Sequence, residues 1–232
     1  MAGFPVIDPR AVVHWHDCLY AGHKMFGTNS TTDVVYETAD RLREYARVEH
    51  AQRVQSPYGD VYYQELDTLD LGGCSVLEFG CGAGMDTLYF AEHGAKVTAC
   101  DIVPSNVLMV GKMLEPYVES RAVLLHEYKD LLDLGMFDLV YTHGCLHHIQ
   151  TDVVKGVVEL LCSCLVPCGK VLALVYTKDF YPNDNQHPEG PFARGYTQQE
   201  LGDLFGENMQ MLSYRVFNNG TFSWVLLRRM SS

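Results

Sequence analysis

The sequence contains a glycine turn with an acidic residue on either side. Glu78 stands two residues before Gly80, further glycines follow at positions 82 and 84, and Asp101 comes after them. Alternate glycines let the backbone turn tightly against a ligand, because no Cβ atom is in the way. An acidic residue about 20 residues beyond such a turn can accept both hydrogen bonds of a ribose diol. The spacing therefore predicts a nucleoside-binding site.

The elements around the turn form a strand–helix–strand unit. Residues 74–79 are a short, mostly apolar run that is typical of a buried strand, and residues 96–101 are a second. Between them, apolar residues recur at near-helical spacing from Met85, and a His-Gly pair at 93–94 ends the helix. Met85 stands where the dinucleotide fingerprint requires glycine or alanine. No pyrophosphate is therefore implied.

The acid-x-Gly-x-Gly-x-Gly pattern resembles motif I of the class I S-adenosylmethionine-dependent methyltransferases. The resemblance implies S-adenosylmethionine as cofactor, with Glu78 near its methionine part, often through water, and Asp101 on its ribose. It assigns the following residues to the cofactor: Glu78, Gly80, Cys81, Gly82, Gly84, Asp86, Asp101, Ile102, Asp130, Leu131, Thr142 and His143.

Later segments extend this resemblance over residues 74–176. Residues 137–142 begin with the Phe-Asp-Leu-Val pattern common in strand 4 of the family, and a Leu-x-Pro-x-Gly segment at 165–169 precedes the predicted fifth strand. After strand 3, the family places an acid on the adenine amino group. Asp130 fits that position, and a plain surface-loop aspartate is the alternative.

The predicted fold is α/β, with a seven-stranded, mostly parallel sheet of order 3-2-1-4-5-7-6 and helices on both faces. Strand 7 is antiparallel, and the Asn-Asn-Gly-Thr segment at 218–221 predicts the closing hairpin. We expect one domain over residues 1–232. Within it, residues 1–60 form a helical lid, and residues 177–195 form an active-site loop, since a loop this long is usually functional.

The chain has its densest group of chemically active side chains after strand 4, where His143, His147 and His148 follow one another closely. In an open α/β sheet, ligands bind outside the carboxyl ends of the strands near the switch in strand order. These histidines are therefore the candidate catalytic residues. A base is needed only if the methyl acceptor arrives protonated, and histidine suits that duty near neutral pH. The alternative is structural, with a histidine capping backbone groups at the turn.

Three further residues are candidates for contact with the methyl acceptor. They are Tyr20 in the aromatic N-terminal segment, Tyr176 at the end of strand 5, and Arg194 at the end of the long loop. Arg194 could pair bidentately with a carboxylate, and a surface ion pair is equally expected.

Composition limits the partners. A formal charge of −12 disfavours nucleic acid, whose affinity depends on lysine and arginine. No apolar run is long enough for a membrane span, and the N-terminus lacks the pattern of a secretory signal, so we expect a cytoplasmic protein that does not bind membranes. The eight cysteines are expected to be reduced thiols, and no metal is expected. The oligomeric state stays open.

The sequence thus predicts an enzyme that methylates an oxygen or nitrogen of a small molecule. The Asn/Asp-Pro-Pro-Tyr/Phe segment that marks methylation of planar amino groups is absent after strand 4. Two alternatives stay open, a protein or peptide methyltransferase and a non-catalytic partner protein with the same fold.

Overall fold

The structure, a computed structural model, describes residues 4–22, 37–55, 65–66, 68–183 and 192–231, without the side chains of 16–22 and 54. These residues fall into two compact units, one over 8–124 and the other over 1–7 and 125–232. The prediction of a single domain stays a prediction. The strands of both units follow the order β3-β2-β1-β4-β5-β7-β6, as predicted.

The unit over residues 8–124 contains four helices and three strands among its described residues. The helices are α1 (Pro9–Gly22), α2 (Ala39–Gln55), α3 (Met85–Glu92) and α4 (Pro104–Leu114). The strands are β1 (Ser75–Phe79), β2 (Lys96–Asp101) and β3 (Arg121–Leu124).

The three strands of this unit are parallel, with Phe79 opposite Cys100 and Asp101 opposite Leu124. Nearly every residue of β1 and β2 is buried, as expected for strands covered on both faces. The carboxyl ends of β1 and β2 therefore lie side by side, and this places the glycine turn next to Asp101.

The unit over 1–7 and 125–232 contains the other four strands. They are β4 (Phe137–His143), β5 (Leu165–Tyr176), β6 (Met209–Phe217) and β7 (Phe222–Arg229). Its helices are α5 (Thr151–Ser163) and α6 (Gln198–Phe205), with short 3-10 helices at Tyr128–Asp133 and Leu146–His148.

Within this unit, β4 pairs parallel with β5, and β7 pairs antiparallel with both β5 and β6. The β6–β7 turn has positive φ at Asn218, Asn219 and Gly220 (51°, 52° and 88°). Asparagine and glycine tolerate that conformation best, so the predicted hairpin and its antiparallel seventh strand are confirmed.

Some boundaries differ from those predicted. The run at 123–127 predicts a third strand over those residues, whereas β3 spans Arg121–Leu124 and the 3-10 helix starts at Tyr128. The fifth strand begins at Leu165, before the Pro-Cys-Gly segment that was predicted to precede it. Cys168 is accommodated there with φ 65°, and the pairing register with β4 shifts between Phe137 and Leu139. Among the described residues, no helix is long and apolar enough to cross a membrane.

Candidate active site

The glycine turn after β1 is held by the neighbouring strand. Gly80, Gly82 and Gly84 all have positive φ (78°, 51° and 76°), which explains why glycine is needed at each position. The N–H groups of Gly80 and Cys81 both donate to the carbonyl oxygen of Cys100, at 2.9 and 3.1 Å. The turn is therefore attached to the last residues of β2.

Asp101 closes the turn with its carboxylate. Gly82 N donates to Oδ2 at 2.9 Å, and Val103 N donates to Oδ1 at 2.8 Å. Burial raises the pKa of the Asp101 carboxyl, while these two N–H donors lower it. An ionised carboxylate has about four acceptor positions, and the Gly82 and Val103 N–H groups occupy one on each oxygen.

The residue types around Asp101 fit a nucleoside. Asn106, in the first turn of α4, hydrogen-bonds to Asp101, and its own buried Oδ1 has no hydrogen-bond partner among the described residues. A Cβ atom built on Gly82 would meet nothing within 4 Å, so the turn has open space beside it. Ile102 is half-buried next to Asp101 and offers an apolar contact. These residues would hold the ribose end of the cofactor.

A cluster of charged groups lies at the start of α3. Glu78 and Asp86 are both buried, at 3% and 4% exposure. The Thr87 hydroxyl donates to Glu78 Oε2, while Arg53 NH1 lies 3.4 Å from Asp86 Oδ2 and His50 Nδ1 lies 3.7 Å from Asp86 Oδ1. Helix α2 thus supplies the basic side chains of this cluster.

In the other unit, the end of β4 carries two of the predicted residues. Thr142 is fully buried, and its Oγ1 has no hydrogen-bond partner among the described residues. His143 is half-buried, with its ring centroid 5.8 Å from that of Trp224. Gly144 then turns the chain with φ 70°, and its N–H donates to Leu174 O at 3.1 Å.

His147 is buried, with 1% of its surface exposed, and it serves the fold. The backbone N–H of Tyr176 donates to its Nδ1 at 3.1 Å, so Nδ1 is unprotonated and a neutral ring carries its hydrogen on Nε2. The Tyr176 ring lies 3.9 Å away between centroids. These contacts fit the structural alternative for this histidine, since its Nδ1 lone pair receives a backbone donor.

His148 has the opposite tautomer. Its Nδ1 lies 3.0 Å from the carbonyl oxygen of Phe192, which can only accept, so Nδ1 carries the hydrogen. A neutral His148 ring therefore has its lone pair on Nε2, the arrangement that a proton acceptor requires. The side chain is half-buried.

The end of the predicted active-site loop is attached to these histidines. Arg194 N donates to His147 O at 3.0 Å, Gly195 N to Tyr181 O at 3.2 Å, and Tyr196 N to Tyr176 O at 2.9 Å. We call residues 192–196 the strap. It lies against the end of β5 and holds Tyr176, a predicted acceptor-binding residue, whose phenol pKa is raised by burial.

The Arg194 guanidinium lies 4.6 Å above the Tyr196 ring centroid, and its NH2 is 3.5 Å from Glu200 Oε1. The ion pair that the sequence allowed as an alternative is therefore formed, while contact with the acceptor stays a prediction. Asp130 Oδ2 accepts the N–H groups of His126 and Glu127, each at 2.9 Å, so its side chain supports its own loop. Leu131 beside it is buried.

Tyr20, the remaining predicted acceptor contact, has a side chain outside the described residues. Much of the predicted lid, at 23–36 and 56–60, also lies outside them. In the part of the chain that the structure does describe, no group of three or more His, Cys, Asp or Glu side chains could hold a metal ion.

Several residues that contact the predicted site residues were not predicted from the sequence. Arg53 and His50 reach Asp86 from a helix far earlier in the chain, and no spacing rule connects them. Phe192 contributes a backbone oxygen, for which residue type gives no signal. Asn106 had one available signal, because a polar residue in the first turn of the helix after Asp101 lies close to that carboxylate.

Comparison with known proteins gives the context for this arrangement. Residues 76–169 match a family model described as a methyltransferase domain. The chain is 29% identical over 146 residues to the magnesium-protoporphyrin O-methyltransferase of Rhodobacter capsulatus, covering 58% of this chain and 64% of that protein. It is 31% identical over 108 residues to a ubiquinone biosynthesis O-methyltransferase of Xanthomonas euvesicatoria pv. vesicatoria, covering 44% and 43%. The chain thus spans less than two thirds of the length of either relative.

Solved structures share the fold. A 1,6-didemethyltoxoflavin-N1-methyltransferase of Burkholderia thailandensis superposes with a TM-score of 0.58 at 23% identity, covering 81% of this chain and 90% of that one. An S-adenosylmethionine dependent methyltransferase of Mesorhizobium loti gives a TM-score of 0.61 at 15% identity, covering 75% and 98%. At these identities the likeness shows the architecture alone.

Proposed function

Because the chain belongs to the class I S-adenosylmethionine-dependent methyltransferases, we propose that it transfers a methyl group to an oxygen or nitrogen atom of a small-molecule acceptor. The observation that supports this most is the glycine turn closed on Asp101 by the 2.9 Å bond from Gly82 N. That bond fixes a carboxylate at the end of β2 beside open space, as a ribose site needs.

S-adenosylmethionine supplies a methyl group already activated by its sulfonium. The protein's main task is therefore to hold the acceptor atom in line with the methyl carbon, and positioning alone can supply up to about 7–11 kcal/mol. The new bond forms between the acceptor atom and the methyl carbon while the carbon–sulfur bond breaks. Tyr176 and Arg194 are the side chains that we assign to the acceptor.

His148 is the base where the acceptor is a protonated hydroxyl. Its Nδ1–H bond to Phe192 O fixes the tautomer, so the lone pair of the neutral ring is on Nε2, the nitrogen that would take the proton. His147 is a positioning residue, because its Nδ1 receives Tyr176 N and its carbonyl receives Arg194 N. Oxygen is the favoured acceptor atom, since both curated relatives named above are O-methyltransferases.

Calorimetry with S-adenosylmethionine and S-adenosylhomocysteine tests the cofactor assignment. We expect binding by the wild-type protein and a marked loss of affinity in Asp101→Asn, which removes a charge-assisted contact worth about 1.5–3 kcal/mol per bond. No binding at millimolar cofactor would overturn the proposed function. Methyl-labelled cofactor should then label small molecules in a cell extract, and label found only in protein would overturn the acceptor class.

The two histidines can be separated by their pH profiles. His148→Gln should lower turnover by about 10²–10⁴-fold if His148 is the base, and should remove the acidic limb of kcat against pH. His147→Gln is the matched control, because an amide oxygen can still accept from Tyr176 N. It should lower stability while the pH profile keeps its shape. A wild-type profile in His148→Gln would show that no base is needed there.

A further inference from the structure

Among the residues that the structure describes, the charged cluster beside the glycine turn has more negative than positive groups. Glu78 and Asp86 are both buried, and Asp101 is close enough to influence Glu78 electrostatically. Against them stand Arg53, whose charge is permanent, and His50, which is charged only when it is protonated. A buried anion is costly unless it is paired, so this cluster is short of positive charge.

Glu78 is the carboxyl with the least positive charge beside it. Both basic side chains from α2 contact Asp86, Arg53 at 3.4 Å and His50 at 3.7 Å, whereas within the described part of the chain the side-chain donor to Glu78 is the neutral hydroxyl of Thr87. Two adjacent buried carboxyls cannot both ionise cheaply, and Asp86, the carboxyl beside Arg53, keeps the charge.

The groups that face Glu78 come from several elements. Asp86 and Thr87 stand on α3, Arg53 on α2 and Asp101 at the end of β2, while the Cys81 thiol lies in the turn itself. Burial raises the pKa of Glu78 well above its ordinary value and the charge of Asp86 adds to this, while Thr87 and Arg53 lower it.

We propose that Glu78 holds a proton in the cofactor-free protein and exchanges it for the ammonium group of the cofactor's amino-acid end. This rests on the proposed function and adds to it a role for one side chain. Glu78 stands at the end of β1, two residues before the glycine turn, while Asp101 holds the opposite side of that turn. A ligand whose ribose lies on Asp101 can extend its amino-acid end along the turn to Glu78.

The exchange is balanced in atoms and charge. The O–H bond of the Glu78 carboxyl breaks, its proton passes to solvent, and the resulting carboxylate accepts an N–H of the ammonium. Binding therefore lowers the pKa of Glu78, and by linkage the affinity rises with pH. The rise is at most about tenfold per pH unit below the raised pKa, and it levels off above that pKa.

Titration calorimetry in pairs of buffers with different ionisation enthalpies counts the protons released. We expect wild-type protein to release up to about one proton per S-adenosylhomocysteine or S-adenosylmethionine bound, at pH values between the ordinary glutamate pKa and the raised pKa of Glu78. Methylthioadenosine, which has the nucleoside but no amino-acid end, should bind without releasing a proton. Glu78→Gln should bind S-adenosylhomocysteine with an affinity that is flat across the same range.

His50→Gln is the control, because the His50 ring contacts the same cluster and is charged only when it is protonated. The variant should keep the proton release if Glu78 is the source. Three results would each overturn the proposal. They are loss of the proton release in His50→Gln, proton release on binding of methylthioadenosine, and proton release with S-adenosylmethionine but not with S-adenosylhomocysteine. Cofactor binding without proton release at any pH would also overturn the proton exchange but leave the proposed function unaffected. Absence of cofactor binding would overturn the proposed function itself.

If Glu78→Gln fails to fold, as judged by its melting curve, the comparison of the three ligands on wild-type protein still tests the proton exchange. The two ligands that contain the ammonium group must release a proton and methylthioadenosine must not.

Discussion

Replacing Gly84 by alanine should destabilise the protein through steric overlap with α4. Gly84 has φ 76°, and a Cβ atom there would lie 2.5 Å from Met113 Cε and 2.7 Å from Val110 Cγ2. The end of a methionine moves easily, but Val110 is β-branched, buried and stiff. The backbone strain is worth about 1–2 kcal/mol and overpacking a further 1–3 kcal/mol, so about 2–5 kcal/mol in total.

Gly82→Ala is the matched control, because the two glycines share the turn and differ in surroundings. Gly82 has φ 51° and nothing within 4 Å of an added Cβ, so only the backbone strain of about 1–2 kcal/mol remains. The open space beside it is where we place the cofactor. Gly82→Ala should therefore lose more cofactor affinity than stability, and Gly84→Ala should lose more stability.

Thermal melting and calorimetry separate the two outcomes. At about 2–4 °C per kcal/mol, Gly84→Ala should melt about 4–20 °C below wild type and Gly82→Ala about 2–8 °C below it. Equal melting temperatures for the two variants would refute the packing argument at Gly84. Wild-type affinity for S-adenosylhomocysteine in Gly82→Ala would refute the placement of the cofactor beside the turn.

Three further predictions concern the strap, a helix cap and a buried acid. Gly195→Ala should cost about 3 kcal/mol in urea denaturation, because its Cβ would overlap Thr177 O, whereas Gly202→Ala, with nothing within 4 Å, should be neutral or slightly stabilising. Thr197→Ala should lower the melting temperature by about 2–4 °C, since it removes a cap worth about 1 kcal/mol; an unchanged value would contradict the capping box. Without cofactor, Glu78→Gln should gain stability over wild type as the pH rises, because the raised pKa of the Glu78 carboxyl means that its ionisation favours unfolding; parallel curves of melting temperature against pH would contradict this.

Local chemistry made some elements predictable from sequence. The hairpin was predicted with its strands ending at Phe217 and starting at Phe222, because the Asn-Asn-Gly turn needs positive φ, which those residues tolerate. The Thr-Gln-Gln-Glu pattern at 197–200 predicts a capping box that starts a helix. The structure forms it, since the Thr197 hydroxyl accepts Glu200 N at 3.1 Å and the Glu200 carboxylate accepts Thr197 N at 2.8 Å. Each signal lies within a few residues of the structure that it specifies.

Boundaries that depend on tertiary pairing were missed. Pro167 and Gly169 predict a segment that precedes the strand, because neither residue favours a strand interior. In the structure, β5 begins before both of them. Phe137 N donates to Cys164 O at 2.7 Å and Phe137 pairs with Leu165, so the neighbouring strand extends β5 backwards. The residues around Pro167 do not indicate that β4 pairs with this segment.

The same distinction applies to the candidate site. The glycine turn and Asp101 were predictable, because a fixed spacing along one strand–helix–strand unit brings them together. The partners of Asp86 were not, since Arg53 and His50 reach it only through the packing of α2 in the folded unit. The proton exchange that we propose depends on this second set. Motif recognition alone would therefore give the candidate cofactor residues without the charged side chains that surround them.

The two adjacent histidines show that residue type alone does not assign a role to a side chain. His147 and His148 are identical in chemistry and neighbours in sequence, yet Tyr176 N donates to Nδ1 of the first, while Nδ1 of the second donates to Phe192 O. Opposite backbone partners impose opposite tautomers, and only the second tautomer has its lone pair on Nε2. Both partners come from the end of β5 and the strap. The backbone group that meets each ring therefore distinguishes two identical side chains. This difference is the basis on which we propose that His147 positions the site and that His148 accepts a proton.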